Sequence, residues 1–80
     1  MKETRILEIS MQDKNADSIM IRQILSQSDK NVRTNEGLVE ATKNQSGYMM
    51  IRLNGDPQEI DKIEYKIKSI KGASVDRLSL

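Results

Sequence analysis

The chain has 80 residues, 13 basic against 12 acidic side chains for a formal charge of +1, and no histidine, cysteine, tryptophan or phenylalanine. Those absences exclude Ser-His-Asp and Cys-His catalysis, disulfides, thiolate or imidazole metal sites and iron–sulfur clusters. The balanced charge lacks the strong positive field of a free-standing nucleic-acid binder, and the length allows one domain, 1–80, whose small core favours association.

Residues 5–11 alternate as a strand, with Leu7, Ile9 and Met11 on one face and Ile6, Glu8 and Ser10 on the other. The first residues carry Lys2, Glu3, Arg5 and Glu8, which is no signal-peptide pattern, and no apolar run reaches the length of a membrane span. A cytoplasmic location is expected. The loop Gln12–Asp17 offers Asp13, Asn15 and Asp17 as helix caps. Ala16, Ile19, Met20, Gln23, Ile24 and Ser28 follow helical spacing, Ile21 and Leu25 widen the apolar stripe, and the helix is expected to end near Ser28.

Val32, Leu38, Val39 and Ala41 predict a strand within 31–42, with Gly37 as a bulge or bend. Lys43–Gly47 is a polar connection of hairpin length, and Tyr48–Leu53 is the clearest strand. Asp56-Pro57-Gln58-Glu59 then reads as a helix start: a capping aspartate, a proline at the first helical position and a glutamate at capping-box spacing. Ile60, Ile63, Ile67 and Ile70 place four isoleucines on one face, Gly72 follows as a C-terminal cap, and Val75, Leu78 and Leu80 mark a last strand.

The order β-α-β-β-α-β predicts an α+β, ferredoxin-like domain, in which an antiparallel four-stranded sheet carries two helices on one face. Met49, Ile51 and Leu53 then join Leu7, Ile9 and Met11 beneath the helices. The opposite face shows Ile6, Tyr48, Met50 and Arg52, with Leu38 of the second strand as a further candidate for the patch and with Glu8 and Arg52 expected to pair across the sheet. This patch is more apolar than a solvated face requires, so it is the expected interface of a homo-oligomer, a dimer or tetramer.

The chemistries that this fold hosts elsewhere find no residues here. Base stacking needs aromatics on central strands, and the only aromatics are Tyr48 and Tyr65, the latter on a helix. Asp13, Asn15 and Asp17 open like an EF-hand loop, but Ser18 stands where its glycine belongs and Ile24 where its closing glutamate belongs. No helix-turn-helix and no basic arm are visible, which leaves direct DNA binding with little support. No catalytic residue, metal site or cofactor is expected, and the chain reads as a non-enzyme.

From Tyr48-Met49-Met50-Ile51-Arg52-Leu53 through Gly55-Asp56, the isoleucine helix and Gly72-Ala73-Ser74-Val75, the layout resembles the small ACT-like proteins known as iron-only hydrogenase system regulators. That resemblance covers nearly the whole chain and implies an ACT-like fold and a transcriptional-regulator role. It also implies an effector such as an amino acid near the loop after the first strand, where Asp13 and Asn15 are the candidate ligand-binding residues. Nickel sensing, known in regulators of similar fold, needs histidine or cysteine and does not carry over. The rival expectation is an assembly adaptor that binds neither ligand nor DNA and uses the same sheet face or an edge strand.

Overall fold

A computed structural model describes residues 2–28, 32–39 and 47–78. Its elements are β1 (Glu3–Met11), α1 (Lys14–Ser26), β2 (Val32–Val39), β3 (Gly47–Gly55), α2 (Pro57–Lys68) and β4 (Ala73–Arg77). The strands form one antiparallel sheet in the order β2-β3-β1-β4, with both helices on one face. This is the ferredoxin-like, α+β arrangement that the residue pattern predicts. No helix among the described residues is long and apolar enough to cross a membrane.

Alternation decides which face of the sheet is buried. Leu7, Ile9 and Met11 of β1 sit opposite Ile51, Met49 and Gly47 of β3, and the apolar members of these pairs are buried under the helices with Leu53. From α2 come Ile60, Ile63 and Ile67, and Ile70 follows from the turn after it. Fully burying a side chain of this size contributes about 1.5–3 kcal/mol, so the β1–β3–α2 contact is the centre of the core.

The start of α2 follows its residues closely. Asp56 accepts the Gln58 amide at 3.0 Å, and Pro57 occupies the first turn without losing a bond. The capping box is one-sided: among the described residues Glu59 bonds Lys62, at 3.1 Å, and not the Asp56 amide.

Helix α1 differs from the expected facing. Its buried residues are Asp17, Ser18, Ile21 and Leu25, with Ile24 packed at the margin, whereas Ile19 is 56% and Met20 41% exposed. At about 100° per residue, Ile19 lies about 160° and Met20 about 100° around the helix from Ile21. A helix anchored by Ile21 and Leu25 therefore turns both outward. Of the three candidate caps, Asp13 is the one used, accepting the Asn15 and Ala16 amides at 3.1 and 3.2 Å.

Two glycines also behave differently from expectation. Gly37 makes no bulge, since the β2–β3 register runs unbroken through Glu36↔Ile51, Gly37↔Met50 and Leu38↔Met49. The last of these pairs puts position 38 on the helix-covered face with Met49, and not in the open-face patch where the sequence suggests it. Gly72 is not the cap of α2, which ends at Lys68 with Ser69 as its C-cap. Its reason is space: a Cβ there would stand 2.7 Å from Asp17 Oδ2. The polar connection expected at 43–47 lies outside the described residues except for Gly47, which opens β3.

Candidate functional site

The helix-free face of the sheet is built from the even positions of β1, β3 and β4 and the odd positions of β2. Ile6, Tyr48 and Met50 are half-buried on it without any helix above them, and Arg52 is exposed. The register brings these four residues together on the two central strands, with Ile6 opposite Arg52, Glu8 opposite Met50 and Ser10 opposite Tyr48.

Glu8 has two diagonal neighbours on β3, Tyr48 on one side and Arg52 on the other. The expected Glu8–Arg52 pair does not form; the Tyr48 hydroxyl donates to Glu8 Oε2 instead. The bond to Glu8 is the main reason that the Tyr48 phenol is raised above its ordinary value, with desolvation and the Glu8 charge adding to it. Ionising Tyr48 would lose the bond and set two anions side by side.

At one end of β1 the chain turns into α1. Asp13 and Asn15 are both exposed there, and Asp13 Oδ1 is occupied by the helix cap. Beside this loop an open groove of about 340 Å³ runs between the end of β1 and the start of β4. Ser10, Gln12, Lys71 and Ser74 supply polar groups to its lining and Ala73 an apolar one, while Met11, which also touches it, is buried in the core; such mixed linings are common in small-molecule sites. Neither Asp13 nor Asn15 lines it. The groove's frame is held from behind: Gln12 donates its amide to the Gly72 carbonyl at 2.9 Å, and the buried Asp17 accepts the Asp13 amide at 3.2 Å.

On the helix side, a charged cluster joins α2 to β1 and β4. Glu64, with a side chain only 5% exposed, is bonded by Arg77 at 2.9 Å, Lys68 at 2.9 Å and Arg5 at 3.2 Å. Arg5 in turn holds Glu3 and Asp61, each at 2.7 Å. Burial opposes the Glu64 charge, but the bonds from Arg77 and Lys68 outweigh it and hold the carboxyl below its ordinary value. Arg5 shows the same balance: burial opposes its charge, and bonds to Asp61 and Glu3 raise its pKa further. With three cations matched to three carboxylates, the cluster is an internal strut and leaves no charge to offer a ligand. The local sequence marks only the Glu64–Lys68 pair at i,i+4 spacing, because Arg5 and Arg77 reach α2 from strands distant along the chain.

No protein-family model and no curated protein matches the chain. Its backbone is similar to the uncharacterized protein TM1266 from Thermotoga maritima, with a TM-score of 0.80 at 18% identity over 100% of this chain and 99% of that one. It is also similar to the ACT domain of GTP pyrophosphokinase from Chlorobium tepidum, with a TM-score of 0.76 at 20% identity over 98% and 100% of the two chains. A de novo designed protein with a ferredoxin fold aligns with a TM-score of 0.61 at 15% identity, over 94% of this chain and 82% of that one. At such identities the likeness establishes an ACT-like, ferredoxin-like fold. A fold shared with a designed protein names no function by itself.

Proposed function

We propose that this chain is a small, non-enzymatic ACT-like regulatory module of the cytoplasm that works by associating with itself through the open face of its sheet. The observation that carries the reading is the row Ile6, Tyr48 and Met50 on the two central strands, half-buried and uncovered by any helix of the chain. A second copy seated there removes that apolar area from water, at about 25 cal/mol per Å². A small effector such as an amino acid, held at the groove between Ser10, Gln12 and Lys71 and the neighbouring Asp13–Asn15 loop, shifts the association. Transcriptional regulation, which the resemblance to the hydrogenase-system regulators implies, is the output of that shift.

Titration of the chain with pooled amino acids, read by sedimentation equilibrium, tests this reading. An oligomer whose association constant changes with the pool is expected. An oligomer indifferent to the pool removes the effector from the reading.

A second reading, an assembly adaptor with no ligand, is favoured by one observation: Ile19 and Met20 present an uncharged, exposed stretch on α1, away from the sheet face. A fixed protein partner that is lost on substituting both residues with lysine, with the self-association unchanged, would select it.

A further inference from the structure

On the open face the charges are sorted by strand. Of the residues paired in the sheet and lying on that face, the charged ones are Arg33 on β2, Arg52 on β3, Glu8 on β1 and Asp76 on β4. In the strand order β2-β3-β1-β4, one half is basic and the other acidic. Within the acidic half, Glu8 and Asp76 stand directly opposite each other in register. Like charges in that position destabilise a sheet by up to about 1 kcal/mol. Among the described residues, the Tyr48 hydroxyl satisfies Glu8 without neutralising it, and neither Asp76 nor Arg52 takes part in an ion pair. The face therefore carries a paired negative charge on one half and positive charge on the other, and Arg52, although diagonal to Glu8, forms no ion pair with it.

We propose that the open face is self-complementary, and that two copies of the chain pack it face to face about a twofold axis running along the strands. The inference rests on the self-association proposed above and specifies its geometry. Rotation about such an axis exchanges left and right across the sheet. The acidic β1–β4 half of one copy then lies over the basic β2–β3 half of the other, and the same contact repeats by symmetry. The alternative, a twofold axis across the strands, lays each half on its own equivalent and opposes four carboxylates. Charge alone selects the first arrangement.

The register agrees with it. Strands keep their level along such an axis, so Glu8 lies over the row of Met50 in the second copy. Arg52 of that copy is then two residues away along β3, about 7 Å, within an arginine's reach. Ile6, Tyr48 and Met50 lie on the central strands, nearest the axis, interleaved with Glu8 and Arg52, while Asp76 and Arg33 stand on the flanking strands β4 and β2.

Charge reversal tests the geometry. One variant, Arg33→Glu with Arg52→Glu, makes the charged positions of the face wholly acidic. A second, Glu8→Lys with Asp76→Lys, makes them wholly basic. Sedimentation equilibrium is expected to show the dimer dissociation constant raised at least about tenfold in each variant alone. An equimolar mixture is expected to dimerise at least as tightly as the unaltered chain, because every contact is then complementary.

Asp76→Lys alone, at a residue without an ion pair in the fold, gives the same readout if the double variants do not fold. Its expected effect is a smaller rise that mixing with Arg52→Glu reverses. Variants that dimerise like the unaltered chain, or a mixture that fails to recover, overturn the proposed axis while leaving self-association standing. An unaltered chain that stays monomeric overturns both.

Discussion

At the scale of single residues, the structure places its costs where neighbouring positions reveal little. Glu64 reads locally as one more polar residue of an amphipathic helix, yet it is buried and gathers Arg5, Lys68 and Arg77. Replacing it with alanine leaves Arg5, only 9% exposed, short of one anion. The expected loss is about 2 kcal/mol, below that of a fully buried pair because Lys68 and Arg77 stay half in water. Denaturant unfolding measures it.

The pH dependence follows in sign. A carboxyl held below its ordinary value of 4.5 stabilises the fold above that pH and loses its contribution as pH falls through the lower folded value. Glu64→Gln is therefore expected to flatten the acid limb of the stability curve.

Tyr48 behaves in the opposite sense. Its phenol is raised by Glu8, so its contribution is complete below the ordinary value of 10.0 and is lost as pH rises through the folded value. In a Tyr65→Phe background, Glu8→Ala is expected to return the phenolate absorbance titration toward the ordinary value. A titration left unmoved would mean that Glu8 does not hold Tyr48.

At the scale of elements, what the sequence makes legible depends on whether its apolar residues select one face. In α2 they do: Ile60, Ile63 and Ile67 share one stripe that Ile70 continues from the following turn, and all four are buried. In β1 and β3 one face is the more apolar, Leu7, Ile9 and Met11 with Met49, Ile51 and Leu53, and it is the one buried, the register following it pair by pair. In α1 they do not, because Ile19, Met20, Ile21, Ile24 and Leu25 spread around most of the helix. Only contact with the sheet chooses Ile21 and Leu25.

Ile21→Ala is accordingly expected to cost about 2–5 kcal/mol, and Ile19→Ala or Met20→Ala about 0.5 kcal/mol or less. Equal losses at positions 19 and 21 would mean that the helix sits in another rotation. The buried Asp17 was legible only as a possible cap. Its true setting against Gly72 needs α1 and the turn before β4 to meet. Gly72→Ala is expected to destabilise by about 1–3 kcal/mol, and adding Asp17→Gly to recover part of that loss by removing the carboxylate from its path, as a double-mutant cycle would show.

At the scale of the whole molecule, the order of elements made the ferredoxin-like topology legible, since two β-α-β halves in sequence have few other ways to bury both helices. The candidate interface was legible as a row of residues, for the same reason that β1 and β3 were: their even positions had to face away from the helices. Its electrostatics were not. The expected Glu8–Arg52 pair is replaced by the Tyr48–Glu8 bond, and the separation of acid from base appears only once the strand order puts β4 beside β1 and β2 beside β3. The groove beside the first loop was not legible, because Lys71 and Ser74 reach it from the far end of the chain and neither Asp13 nor Asn15 lines it.

Self-association through the open face is most directly tested by sedimentation equilibrium of the unaltered chain beside a variant carrying Tyr48→Lys and Met50→Lys. Both positions lie outside the buried core, so the variant is expected to fold. The unaltered chain is expected to sediment as a dimer or larger oligomer and the variant as a monomer, with a melting temperature that no longer rises with protein concentration. A monomeric unaltered chain, or a variant that keeps the full oligomer, would contradict an interface on this face.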